Sequence, residues 1–189
     1  MKKLSLFIPH FVLVAPVAMA QADPEPSWDV KAGLGAILLF ANENSIRHDI
    51  MVTGTEGEIL MKLNKAVSTS ATVNFGYGQR TSIVSADVRF KAFVTQLNGN
   101  IFLSPFGNHR RYNMQLGTGA SVMFVSDRFT GATVEHANPE TVLTTGLNLI
   151  FENEFLVGKR ASVGLKTMAQ AYASGDIAGS LLFKYGLRL

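Results

Sequence analysis

The sequence predicts an all-β chain that folds as one eight-stranded, antiparallel, up-and-down transmembrane β-barrel. Three observations carry this prediction. The chain begins with an export signal, most of the remainder alternates between apolar and polar residues in short segments, and the connections between those segments alternate between short and long. Alternation with a period of two is the pattern of a strand with one face in lipid and the other in the barrel interior.

The first twenty residues have the three parts of a secretory signal peptide. Lys2 and Lys3 supply the positive charge, residues 4–17 are apolar, and the small residues at 18–20 form a cleavage site. A second site at 20–22 fits almost as well, so either bond could be the one cleaved.

These features divide the chain into three parts. We expect residues 1–20 to be a cleaved signal peptide, residues 21–27 a short polar leader, and residues 28–189 the barrel domain. No segment after residue 20 is long and apolar enough for a membrane helix.

Composition excludes several classes of function. Loss of Lys2 and Lys3 leaves 15 of the 17 basic residues against 14 acidic ones, so the mature chain is nearly neutral. Without a basic stripe, no nucleic-acid partner is expected. The chain has no cysteine, which excludes disulfides and cysteine metal sites. The histidines are scattered, so we expect no metal site and no cofactor.

Eight segments show the period-two pattern. In the clearest, Tyr112, Leu116 and Phe124 share one face, while Asn113 and Gln115 lie on the other. The eight predicted strands are residues 28–40, 49–63, 67–77, 93–103, 111–125, 142–155, 161–171 and 177–189.

The connections support this count because an even number of strands places both termini at one end. Three connections are short, at residues 64–66, 105–110 and 158–160. The other four are mostly longer, at residues 41–48, 78–92, 127–141 and 172–176. Short periplasmic turns and longer extracellular loops are typical of outer-membrane barrels. Outward aromatic residues near both ends of the strands suggest two belts at the headgroup level.

Alternate residues of each predicted strand face outward and inward, and we call this assignment the strand phase. The predicted phases place ten ionisable residues in the interior. An eight-stranded barrel is too narrow for an open channel, so side chains fill it, and enclosed charges must be paired or hydrated. We therefore predict an interior ion-pair network formed by Lys31, Glu56, Glu58, Lys62, Arg111, Glu152, Glu154, Lys166, Lys184 and Arg188.

A soluble β-sandwich or small soluble barrel is the alternative fold, in which the apolar face would point inward. Such a fold would have no need for the serines, asparagines and glycines that are concentrated on the predicted enclosed face. The transmembrane barrel is therefore favoured.

Two segments carry a resemblance to a known family. Residues 97–120 contain a strand, a Pro-Phe-Gly-Asn turn and a strand with Gly-x-Gly, and residues 181–189 read Leu-Leu-Phe-Lys-Tyr-Gly-Leu-Arg-Leu. The chain resembles the small eight-stranded outer-membrane barrels, such as the OmpA transmembrane domain and OmpX. Its last strand resembles the signal read by the barrel-assembly machinery. The resemblance implies the outer membrane of a Gram-negative bacterium, and it transfers fold better than function.

We expect a structural or surface-interaction role without catalysis. The expected partners are outer-membrane lipid, the assembly machinery, and an extracellular partner reached through loops 78–92 and 127–141. One alternative is a narrow pore for small solutes or ions, gated by the interior charges. A second is an outer-leaflet lipid acyl hydrolase or transferase. It would use His48 or His136 with a serine near the same level, although no Gly-x-Ser-x-Gly motif occurs. The candidate serines are Ser45, Ser82, Ser85 and Ser126.

Overall fold

A computed structural model describes residues 26–42, 49–81, 89–108, 111–130 and 140–189. These residues form eight strands, each antiparallel to the next. The strands are β1 (Ser27–Phe40), β2 (Ile50–Lys62), β3 (Val67–Thr81), β4 (Arg89–Leu103), β5 (Tyr112–Thr130), β6 (Glu140–Val157), β7 (Ala161–Tyr172) and β8 (Ile177–Arg188). No helix in these ranges is long and apolar enough to cross a membrane.

Pairing of the first strand with the last closes the sheet into a barrel. The β1–β8 ladder runs from Asp29 opposite Arg188 to Phe40 opposite Ile177. The predicted all-β, up-and-down architecture is thereby confirmed. The turn end of the barrel holds the connections after β2, β4 and β6, and the loop end holds those after β1, β3, β5 and β7.

Alternation of burial along each strand agrees with the predicted phases. Along β2, residues from Met51 to Leu60 alternate strictly between exposed and buried. On β5, Leu116 is exposed while its neighbour Gln115 is completely buried. The apolar set faces outward, because a barrel with an inward apolar face would show the opposite alternation.

Two of the predicted loops are shorter than expected. β3 continues to Thr81 and β4 begins at Arg89, while β5 continues to Thr130 and β6 begins at Glu140. Backbone pairing extends the ladders beyond the apolar pattern, because hydrogen bonding does not require apolar side chains. The remaining parts of the loops, 82–88 and 131–139, lie outside the described residues.

The N-terminal predictions also lie mostly outside the described part of the chain, which begins at residue 26. The signal peptide at 1–20 therefore stays a prediction. Strand pairing begins at Ser27, opposite Lys62, which is one residue before the predicted start of the barrel domain.

Close contact between strands makes one interior glycine necessary. A Cβ atom at Gly119 would overlap the carbonyl oxygen of Gly99 and fall 2.7 Å from Asn100 Oδ1 and 2.9 Å from Asn100 Cα. A Cβ atom at Gly99, on the neighbouring strand, would meet nothing within 4 Å.

We predict that Gly119→Ala destabilises the barrel and that Gly99→Ala does not. Forcing a methyl group into a filled interior costs roughly 1–3 kcal/mol, whereas an exposed substitution changes stability by about 0.5 kcal/mol or less. Urea unfolding of both variants in detergent micelles measures the difference. Equal midpoints would mean that β4 and β5 are less closely packed than described.

Candidate functional site in the barrel interior

The barrel interior contains a compact group of ionised side chains, here called the charged cluster. It comes from β1, β2, β6, β7 and β8, which are neighbours in the closed sheet. Its members are Asp29, Lys31, Glu56, Glu58, Lys62, Glu152, Glu154, Lys166, Lys184 and Arg188. Five cations face five carboxylates, so the formal charge of the cluster is zero.

Lys184 is the centre of the charged cluster. Its ammonium lies 3.0 Å from Glu152 Oε2 and 3.2 Å from Glu56 Oε1, and it also contacts Glu58 Oε2. The Lys166 ammonium is a second cation beside Glu56 and Glu58. It lies 2.9 Å from Glu56 Oε2 and 3.7 Å from Glu58 Oε1. These side chains are almost completely buried. Each charge is therefore balanced by partners within the barrel rather than by bulk water.

Two further groups extend the charged cluster toward the turn end. Lys31 Nζ lies 2.7 Å from Glu152 Oε1 and 3.4 Å from Glu154 Oε1. Lys62 Nζ donates to Asp29 Oδ2 at 2.6 Å. Arg188 reaches Asp29 Oδ1 at 3.6 Å and is 24% exposed, so this pair forms the rim.

The structure brings together nine of the ten ionisable residues predicted for the interior, and the exception is Arg111. Its side chain is exposed, because β5 begins at Tyr112 and the bend at Arg111 turns the chain away from the strand phase. The predicted set also omitted Asp29, the partner of Lys62. Its position two residues before Lys31 is the signal that could have identified it.

Neutral polar side chains occupy the wall opposite the charged cluster. Asn98 and Gln170 are joined across the interior by a 2.9 Å hydrogen bond from Gln170 Nε2 to Asn98 Oδ1. Gln96 Nε2 donates to the Tyr172 hydroxyl at 3.1 Å. These bonds link β4 directly to β7, which is not its neighbour in the sheet.

The loop end of the interior is apolar, which the sequence analysis did not predict. Six strands contribute to this apolar plug, and none of its residues is more than 6% exposed. Its members are Ile37, Leu39, Val52, Ala92, Val94, Met123, Val125, Tyr172 and Ala178. Ile37 and Leu39 lie on the same inward face of β1 as Lys31, so this face changes from charged to apolar along the strand. These side chains converge at the loop end of the lumen and are shielded from solvent.

Few of the groups considered for reactive chemistry lie in the described part of the chain. Within the described ranges, no group of His, Asp and Glu residues could hold a metal ion. Ser126 lies on the outer side of β5, partly exposed, near Phe124. The other candidates for lipid-modifying chemistry lie outside the described residues: Ser45, His48, Ser82, Ser85 and His136.

Comparison with solved structures agrees with this architecture. Neisserial surface protein A aligns with a TM-score of 0.64 at 9% identity, over 88% of this chain and all of that one. A major outer membrane protein of Thermus thermophilus aligns at 0.62 and 10% identity, over 88% and 100% of the two chains. Ail, the attachment invasion locus protein of Yersinia pestis, aligns at 0.61 and 10% identity with the same coverage.

These likenesses define the class of fold. The chain is an eight-stranded up-and-down barrel with the architecture of small outer-membrane barrels, and the resemblance noted from its sequence is confirmed at the level of fold. No family model matches the chain. No curated protein matches it either.

We predict that Lys184→Met destabilises the barrel much more than Arg188→Met. Removing Lys184 leaves buried carboxylates without their main partner, which costs roughly 3–5 kcal/mol when the pair is fully desolvated. Arg188 is partly solvated at the rim, where an ion pair is worth about 1 kcal/mol or less. Chemical unfolding in micelles compares the two. Similar losses would show that water compensates the interior charges.

Proposed function

We propose that this chain is an integral protein of the Gram-negative outer membrane, with a sealed, non-catalytic barrel that serves a structural or surface-interaction role. The proposal rests on the division of apolar and polar side chains between the two faces of the sheet. The outward face is apolar, and the inward face of the described strands carries ion pairs, hydrogen-bonded amides and the apolar plug.

The outward face supports insertion into a bilayer. Large apolar side chains stand exposed along the strands, including Leu147 at 71% and Leu149 at 69%. Exposure of such residues over a whole surface is untenable in water and expected in lipid. Exposed aromatic residues lie near both ends, Trp28, Tyr112, Phe155 and Tyr185 at the turn end and Phe40, Tyr77, Phe93 and Phe124 at the loop end.

The inward face argues against the pore alternative. A pore gated by the charged cluster would need a continuous hydrated path past it. The apolar plug lies across that path at the loop end, where Ile37, Val94 and Met123 are completely buried. Opening the path would require repacking side chains from six strands at once.

The interior carboxylates also support a structural role rather than an acid–base role. A general base needs access to a substrate proton. Glu58 and Glu152 are enclosed and each contacts Lys184. Because the Lys184 ammonium on β8 neutralises carboxylates on β2 and β6, these ion pairs hold the strands together.

Surface contact would occur at the loop end. Residues 82–88 and 131–139 join strands there. Loops on a rigid scaffold are where binding residues concentrate. We propose that an extracellular partner binds these loops. The barrel-assembly machinery would recognise the last strand.

We predict that Leu116→Arg impairs insertion into lipid vesicles and that Leu116→Ala does so only slightly. Leu116 is 46% exposed and lies on β5 between the outward Tyr112 and Phe124. An arginine facing lipid at mid-membrane costs roughly 2–4 kcal/mol, while alanine removes the packing contribution without adding charge. The folded fraction is measured by the mobility of unheated samples on detergent gels. Equal folding of the two variants would contradict a lipid-facing exterior.

We predict that the folded wild-type barrel gives no stepwise conductance in planar bilayers. We expect the buried apolar plug to close the lumen to ions. Lys184→Met should be equally silent, because the plug lies elsewhere in the interior. Reproducible conductance steps in the wild type that change in Lys184→Met would instead support the gated pore.

A further inference from the structure

On the described part of the outward face, Lys91 is a charged side chain without an ion-pair partner in the barrel. Among the strand residues whose side chains the structure describes, Lys91 is the sole charged residue on that face, and it is exposed. No ion pair to Lys91 occurs among the described side chains. At the loop-end edge of the apolar surface, a lysine ammonium is placed to pair with an anionic lipid headgroup.

Lys91 stands at the edge of a groove on the outer surface. The groove has a volume of about 390 Å³ and spans β3, β4 and β5. Its lining residues are Tyr77, Lys91, Ala92, Phe93, Phe124 and Ser126.

The strand register explains why a groove forms at this place. Phe93 is paired with Tyr77 on one side and with Ser126 on the other. The small side chain of Ser126 leaves space between the rings of Phe93 and Phe124, which are both outward and exposed. The walls are aromatic, and the cation lies on the loop-end side, two residues before Phe93.

The position of the groove matches the two ends of a membrane lipid. Tyr77, Phe93 and Phe124 belong to the loop-end aromatic residues, which mark the headgroup level of a bilayer. Lys91 pairs with Arg128 in the register of β4 and β5, so a second basic residue occupies the adjacent position on the neighbouring strand. Positive charge just outside an apolar wall is complementary to an anionic headgroup followed by its hydrocarbon chain.

We propose that this groove is a binding site for a phosphorylated membrane lipid. The Lys91 ammonium donates a hydrogen bond to the phosphate. The first part of one acyl chain packs against the rings of Phe93 and Phe124, in the space beside Ser126. A charge-assisted hydrogen bond of this kind is stronger than a neutral one. The inference rests on the proposed membrane location of the barrel.

The experiment compares two lipids that differ in the phosphate. Barrels folded in a neutral detergent are titrated with phosphatidylglycerol or with diacylglycerol of the same acyl chains, and bound lipid is counted by native mass spectrometry. The variants are Lys91→Gln, Ser126→Phe to fill the groove, and Lys159→Gln as a control. Lys159 is exposed in the turn between β6 and β7, at the opposite end of the barrel.

The wild type should retain phosphatidylglycerol in preference to diacylglycerol. Lys91→Gln should weaken phosphatidylglycerol binding roughly fivefold, the scale for one lysine at an anionic lipid surface, and leave diacylglycerol binding unchanged. Ser126→Phe should weaken the binding of both lipids, and Lys159→Gln should match the wild type.

Three outcomes would overturn the inference. Lys91→Gln could behave as Lys159→Gln does, the wild type could bind both lipids equally, or inorganic phosphate at matched concentration could displace phosphatidylglycerol. The last result would identify a site for a free anion. Unheated gel mobility of each sample verifies the folded barrel, and the Leu116 variants test membrane insertion separately, so failure of the lipid site is distinguishable from failure of the proposed function.

Discussion

Closure of the sheet by the pairing of β1 with β8 is the constraint on which the rest of the structure depends. A backbone N–H or C=O facing hydrocarbon finds no water, so an open strand edge in lipid would leave a row of unsatisfied groups. The ladder from Asp29 opposite Arg188 to Phe40 opposite Ile177 removes that edge. Once the sheet is closed, every side chain must point either outward or into a narrow enclosed space.

The enclosed space explains the chemistry of the interior. Eight strands leave room for side chains but not for a broad column of water. Charges placed there must carry their own counterions, and the charged cluster does so by matching five cations with five carboxylates. Because Lys184 contacts carboxylates from β2 and β6, the cluster also joins strands that do not pair in the sheet. Interior polarity thus contributes to the shape of the barrel.

The two ends of the barrel differ in a way that bears on function. The charged cluster reaches the turn end through Arg188 and Asp29, whereas the apolar plug fills the loop end. On the outer surface, the groove beside Lys91 is also near the loop end. The loop end therefore combines a buried apolar cluster inside the barrel with an aromatic groove and a lysine outside it.

Much of the fold followed from the sequence, because period-two alternation directly indicates which face of a strand points outward. The outward or inward direction of residues on all eight strands, including the inward Lys31, Glu58 and Lys184, needed only that rule. The limits of β3 to β6 did not follow, since ladder pairing continues past the apolar pattern to Thr81 and Thr130. Backbone hydrogen bonds do not depend on side-chain polarity, so the side-chain pattern does not locate the ends of the strand ladders.

Tertiary structure alone decided which inward residues meet. Arg111 has the inward phase by count but lies in a bend before β5, and Asp29 becomes the partner of Lys62 through the β1–β2 register. Ile37 is inward like Lys31, yet it packs in the apolar plug, because its neighbours across the lumen come from distant parts of the chain. A period along one strand gives the direction of each side chain. The identity of its neighbours depends on register, barrel closure and contacts across the interior, which no single strand encodes.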